Sequence, residues 1–141
     1  MPDGCLDGVV FECVLSALPG MAEALVEVRR VLVPGGRLLV TDLYRRDGAA
    51  GEPCADGSCA AGARTREAIL DELFRAGLVP VLFEDHSRFL AELTGKLLFA
   101  GFSAADVGTA LTGRTPGCAC GLEALRPRLG YFLCVAVKEV S

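Results

Sequence analysis

The chain has 141 residues, enough for one domain with a buried core, and 52% of them are hydrophobic although no tryptophan is present. Its 14 basic and 18 acidic residues give a net charge of -4, and the basic ones are scattered or paired with acids, which argues against a nucleic-acid partner that needs clustered Lys and Arg. No apolar run reaches the roughly 18 residues a membrane helix requires, and no basic region followed by an apolar stretch opens the chain, so the expectation is a cytoplasmic protein without a membrane partner.

In chain order, Asp7-Gly8-Val9-Val10-Phe11 is a short apolar run opened by an acid and reads as a strand buried on two faces. A helix follows, because Met21, Leu25, Val28 and Leu32 fall on one helical face while Glu23, Glu27 and Arg30 point away. Pro34 stops it, and Gly35-Gly36 permits a tight turn into a second buried strand, Arg37-Leu38-Leu39-Val40-Thr41. Strand, crossover helix and parallel strand make one right-handed βαβ unit. Residues 43–64, rich in Gly, Ala and charge, form a loop or lid beyond that strand's carboxyl end. Ser87 makes a good N-cap for a helix over residues 88–100, whose Phe89, Leu90, Leu93, Leu97 and Leu98 form a wide apolar stripe for core or interface. A second short helix over residues 103–111 is opened by Ser103 with Asp106 three residues on.

A strand D-G-V-V-F, a helix ending E-V-R-R-V-L and then P-G-G-R-L-L-V resembles the fourth and fifth strands of class I S-adenosylmethionine-dependent methyltransferases. The likeness continues through a helix at residues 65–76, a strand at 78–83 preceded by Ala76-Gly77, and a last strand at 130–138, so it covers nearly the whole chain. It implies an α/β fold: the C-terminal half of a Rossmann-like sheet, with three parallel strands plus an antiparallel last strand and helices on both faces. The family's glycine-rich loop is absent, since no G-x-G-x-x-G occurs, and so is its ribose-binding acid. The chain is therefore expected to be a single partial domain over residues 1–141, in which the family's cofactor, S-adenosylmethionine, is held weakly or not at all. In the whole fold the fourth strand pairs with the first, so the edge at residues 7–12 is expected to be open and to carry a homodimer.

The resemblance also assigns candidate sites. Glu12 and Cys13 end the strand where family residues face the methionine part of the cofactor, and are the expected cofactor contacts, with Glu12 as a cap of the next turn the other reading. Asp42 and Tyr44 occupy the same edge after the next strand and are expected to bind a small-molecule methyl acceptor, with capping as the other reading.

Seven cysteines with no export signal speak against a disulfide framework. Cys134, inside the last strand, reads as a small core hydrophobe. Asp42-Leu43-Tyr44-Arg45-Arg46 followed by Gly57-Ser58-Cys59-Ala60-Ala61-Gly62-Ala63 is similar to the arsenite methyltransferases of this family. Cys59 falls on their arsenic-binding cysteine, and Cys54 joins it in the acceptor loop. Those enzymes carry a further cysteine downstream; around Leu97-Leu98-Phe99 this chain has none, and it has Gly117-Cys118-Ala119-Cys120-Gly121 instead. That pair either joins Cys59 in a three-thiol catalytic site or forms a redox or metal pair of its own, although it lacks the doubled C-x-x-C of structural zinc. Thiolates suit a soft trivalent element whose lone pair attacks the methyl group in line. His86, in Glu84-Asp85-His86-Ser87, is either a general base or part of a helix start. Three functions follow: part of a methyltransferase, a thiol-based metal or metalloid binder without turnover, or a structural remnant that dimerises through its open edge.

Overall fold

The computed structural model describes residues 1–46, 62–112 and 129–140. Strand β1 (Leu6–Glu12) leads through a 3-10 turn (Leu15–Ala17) to helix α1 (Met21–Val31), which passes directly into β2 (Leu32–Arg45). There follow β3 (Arg64–Thr65), α2 (Arg66–Arg75), β4 (Leu78–Asp85), α3 (Ser87–Phe99), α4 (Ala104–Thr112) and β5 (Leu129–Lys138).

The sheet runs in the order β1-β2-β5-β4, with the short β3 beside β2. β1 is parallel to β2, and β5 is antiparallel to both its neighbours, β2 and β4. β1, β2, β4 and the short β3 thus point one way and the last strand points the other, an antiparallel last strand being what the family resemblance implies and periodicity alone does not reveal. β5 reads as a strand with a covered face because its even positions Phe132, Cys134 and Ala136 are buried while the odd ones between them are only partly so.

α1 and α2 cover the same face of the sheet. Met21, Leu25 and Val28 of α1 and Ile69 and Leu73 of α2 share one core with Leu38, Val40, Phe132, Cys134 and Ala136. Leu25 and Leu73 are wholly buried, each worth about 2 kcal/mol in transfer free energy. The face on which Met21, Leu25, Val28 and Leu32 line up is the buried one, as their spacing predicts.

Three details depart from expectation. First, β2 begins at Leu32, which pairs with Leu6 before the register shifts between Leu6 and Gly8. Pro34-Gly35-Gly36 therefore forms an irregularity within the strand rather than a separate turn, and Gly35 takes φ 78 there, a value open chiefly to glycine. Second, α3 starts at Ser87 with His86 at the N-cap position, and the Asp85 carboxylate rather than the His86 side chain accepts its first N–H, at 2.7 Å. The Ser87 hydroxyl instead accepts the Tyr131 N–H at 3.1 Å, tying α3 to β5. Third, the apolar stripe of α3 is divided. Leu90 and Leu97 are half-buried around the buried Thr94, whereas Phe89, Leu93 and Leu98 are exposed. The opening of α4 is as read: Ser103 N–H donates to Asp106 at 2.8 Å and Asp106 N–H to the Ser103 hydroxyl at 3.1 Å.

β1 forms the edge of the sheet, with no strand on its outer side among the described residues. Among the same residues, no helix is long and apolar enough to cross a membrane.

Candidate functional site

Parallel strands bring their carboxyl ends to one edge of a sheet, where ligands of such folds bind. At the end of β1, Cys13 adopts φ 52, a left-handed conformation that costs a residue other than glycine about 1 kcal/mol. Its N–H donates to the Thr41 carbonyl at 2.8 Å, which anchors this sharp bend to β2. The exposed Sγ lies 3.8 Å from the Tyr131 hydroxyl. Burial pushes the Tyr131 phenol up; hydrogen bonding with Thr41 opposes this, and Cys13 and the negative Glu12 add to it. Tyr131 is therefore a proton donor at neutral pH, set among Glu12, Cys13 and Thr41.

A second cluster closes the end of β4. Tyr44 is buried, edge-on to Phe83 at 5.6 Å and Phe132 at 5.7 Å. Its hydroxyl donates to Asp85 Oδ2 at 2.7 Å, and Arg46 Nε stands 3.6 Å from the same oxygen. Burial works against the charged form of Asp85, but Ser87, Tyr44 and Arg46 outweigh it and bring the carboxyl down to about 2. Burial, followed by the Asp85 carboxylate, pushes the Tyr44 phenol up. His86 Nε2 is 2.9 Å from Glu84, its ring stacks on Phe89 at 5.5 Å, and its backbone N–H donates to the Tyr131 carbonyl at 2.7 Å. These contacts join the start of α3 to β5, the helix-start reading of this residue.

Asp42 is 1% exposed, so its carboxylate does not open onto the cleft. It accepts Ser16 N–H, Ser16 Oγ–H and Leu43 N–H, each at 2.7 Å. Asp42 and Tyr44, the expected acceptor contacts, both point to the core face and are engaged by internal donors or acceptors, the arrangement of the capping reading. The reason is parity, since Leu38, Val40, Asp42 and Tyr44 alternate onto the side that α1 and α2 cover. Asp42 thereby fixes the turn that follows Glu12 and Cys13. Gly62 presses on the same turn from outside, where a Cβ would come within 1.7 Å of the Ser16 carbonyl oxygen.

Cys54, Cys59, Cys118 and Cys120 lie outside the described residues. Of the described thiols, Cys5 and Cys13 are exposed, and Cys134 is wholly buried, with burial pushing its thiol up to about 11. Among the described residues no group of three or more His, Cys, Asp or Glu is placed to hold a metal ion. Sequence reasoning missed Tyr131, Thr41 and Ser16. A polar aromatic at the start of the last strand, out of phase with buried Phe132, was the signal for the first of them.

Comparison with known proteins bears on the fold. A family described as a methyltransferase domain matches residues 1–40. No curated protein matches the chain significantly. Among solved structures, the chain is similar to the [4+2]-cyclase SpnF, at 27% identity and a TM-score of 0.72, covering 100% of this chain and 52% of that one. It is also similar to phosphoethanolamine N-methyltransferase 2 of Haemonchus contortus, solved with S-adenosylhomocysteine, at 15% identity and a TM-score of 0.67, covering 99% and 35%. A third is CrArsM, an arsenic(III) S-adenosylmethionine methyltransferase of Chlamydomonas reinhardtii, at 20% identity and a TM-score of 0.55, covering 99% and 39%. The chain thus spans about half, or less, of these relatives' length, and the last two likenesses concern the fold alone. The local sequence match is to a methyltransferase domain, and the fold is that of the class I S-adenosylmethionine-dependent methyltransferases.

Proposed function

We propose that this chain, which has the fold of the class I S-adenosylmethionine-dependent methyltransferases, serves methyl transfer to a small molecule by supplying the methionine end of the cofactor site and the acceptor side. The observation that carries this reading is the meeting of Glu12, Cys13, Thr41 and Tyr131 where β1 bends at a left-handed cysteine. Strain of that kind concentrates at ligand sites.

The residues present suit one end of S-adenosylmethionine. The exposed Glu12 carboxylate is complementary to the ammonium of a methionine moiety, whereas the sequence offers no glycine-rich loop for the adenosine end. When bound, the cofactor supplies an electrophilic methyl group on a sulfonium sulfur. Tyr131, protonated, donates a hydrogen bond that orients an acceptor or the cofactor's carboxylate. Glu12 favours positive charge at the end of β1. Neither role needs a general base, which suits an acceptor that is already a soft, ionised nucleophile. A thiol-bound metalloid such as arsenite is the acceptor class that the cysteines at 54, 59, 118 and 120 support, with Cys13 as the described thiol at the cleft.

Calorimetric titration of S-adenosylhomocysteine into the reduced chain tests the proposal. Micromolar binding that weakens at least about tenfold, or about 1.4 kcal/mol, in Glu12→Gln supports it. Absence of binding, with arsenite or zinc still bound stoichiometrically, would replace it with a thiol binding module without turnover.

A further inference from the structure

We propose that Gly62 is a positioning residue for the end of β1: its backbone, seated on the Ser16 carbonyl, fixes where Glu12 and Cys13 stand at the methionine end of the cofactor site. The inference rests on the reading of that site given above, and only its ligand-binding arm depends on it.

The turn after Cys13 is gripped from two sides. From the core, Asp42 accepts the Ser16 N–H and the Ser16 Oγ–H, both at 2.7 Å. From the other side Gly62 lies so close that a Cβ on it would meet the Ser16 carbonyl oxygen at 1.7 Å, the carbonyl carbon at 2.8 Å and the Cα at 3.4 Å. All of these are backbone atoms, so no change of rotamer relieves the contact, and it is close approach that demands glycine here.

Neither flank of the contact can yield easily. Ala63 is buried, and Arg64 and Thr65 pair with Tyr44 and Arg45 at the end of β2. A cavity bordered by Ser16, Asp42, Leu43 and Gly62 holds about 10 Å³, the least that admits one water, so the turn has little room to retreat towards Asp42. A side chain at position 62 must therefore displace the turn. The path from there to the site is short: the Ala17 N–H donates to the Val14 carbonyl at 3.0 Å, and Val14 adjoins Cys13, whose N–H is fixed on the Thr41 carbonyl at 2.8 Å. Cys13 sits at φ 52, in a narrow allowed region. A shift of the turn re-aims both Cys13 and Glu12.

The test compares Gly62→Ala with the parent and with Gly95→Ala, a control at which a Cβ meets nothing within 4 Å. Iodoacetamide labelling of Cys13 is measured relative to Cys5, the exposed thiol just before β1, alongside melting temperature and calorimetric binding of S-adenosylhomocysteine. In Gly62→Ala the ratio of Cys13 to Cys5 labelling is expected to change at least about threefold, and the Kd to rise at least about tenfold. Gly95→Ala leaves both as in the parent. A lower melting temperature with the parent's labelling ratio is what a merely structural glycine gives, and it would overturn the proposal. So would an unchanged Kd where the parent binds. If Gly62→Ala fails to fold, Ser16→Ala, which loosens the turn on the Asp42 side alone, must shift the ratio in its place, and an unshifted ratio overturns the proposal. Should the parent bind no S-adenosylhomocysteine, the functional reading fails, and the labelling ratio alone decides the positioning.

Discussion

Replacing Asp42 by alanine is the most informative perturbation of this fold, because one buried carboxylate holds the turn beyond β1. Three donors converge on it, two from backbone N–H groups and one from the Ser16 hydroxyl, each at 2.7 Å. A hydrogen bond to a charged group contributes about 1.5–3 kcal/mol, and a buried donor left without a partner costs about 1–3 kcal/mol. Ser16 is part-buried and water can reach it after the change, whereas the Leu43 N–H is buried, so the expected total for Asp42→Ala is about 3–4 kcal/mol. Asp42→Asn keeps one acceptor oxygen but turns an amide donor towards a donor, and is expected to cost about 2 kcal/mol. Ser16→Ala removes a single bond and costs about 1 kcal/mol. Urea unfolding followed by circular dichroism gives these values by linear extrapolation. A loss of 3 kcal/mol corresponds to a melting temperature lower by about 10 °C in a chain of this size. An Asp42→Ala protein within about 1 kcal/mol of the parent, or a Ser16→Ala protein as unstable as Asp42→Ala, would refute the assignment of Asp42 as the clamp of this turn.

Cys13→Gly is expected to stabilise the fold by about 1 kcal/mol by relieving the left-handed backbone, whereas Cys13→Val destabilises it by a similar amount; melting temperatures of the two variants check this. Asp85 titrates at about 2 when folded against an ordinary 3.8, so its contribution is present in full above pH 3.8 and is lost as pH falls through about 2. Acid unfolding of the parent should steepen in that window, and Tyr44→Phe, which removes a donor to Asp85, should flatten the added slope. Iodoacetamide applied to the native chain is expected to modify Cys5 and Cys13 and to spare Cys134 until urea is added, because that thiol is buried and pushed up to about 11. Peptide mass mapping reads the order of labelling.

The first βαβ unit was legible because burial writes itself directly into the sequence. Met21, Leu25 and Val28 recur at helical spacing and Leu38 and Val40 alternate, and all five are buried as that pattern requires. The position of β5 was not legible from pattern: its alternation fits any strand with one covered face, the family likeness implied only that it runs antiparallel, and its place between β2 and β4 is known from the structure. At the site, proximity to a strand's carboxyl end led to Asp42 and Tyr44, yet their shared parity with Leu38 and Val40 already directed them into the core. Tyr131 went unnoticed for the opposite reason, since its partners Cys13 and Thr41 belong to strands far away in sequence and are brought together only by the antiparallel register. The thiols at 54, 59, 118 and 120 lie outside the described residues.

The central place of β5 bears on how the protein is made. β2 and β4 are separated in the sheet by a strand that emerges from the ribosome after both. Phe132, Cys134 and Ala136 of that strand complete the core against α1 and α2. Until residues 129–138 are synthesised, the two earlier strands have no adjacent partner on that side, and the apolar face of each helix lacks part of its floor. Folding of this sheet is thus deferred until residues 129–138 have emerged, when contacts between residues as distant as Arg37 and Val137 close at once. Such long-range closure is slow and leaves nascent chains prone to aggregation. Chaperone dependence during expression, and products truncated before residue 129 that are insoluble, are the expected outcome, read by fractionating soluble and pelleted protein.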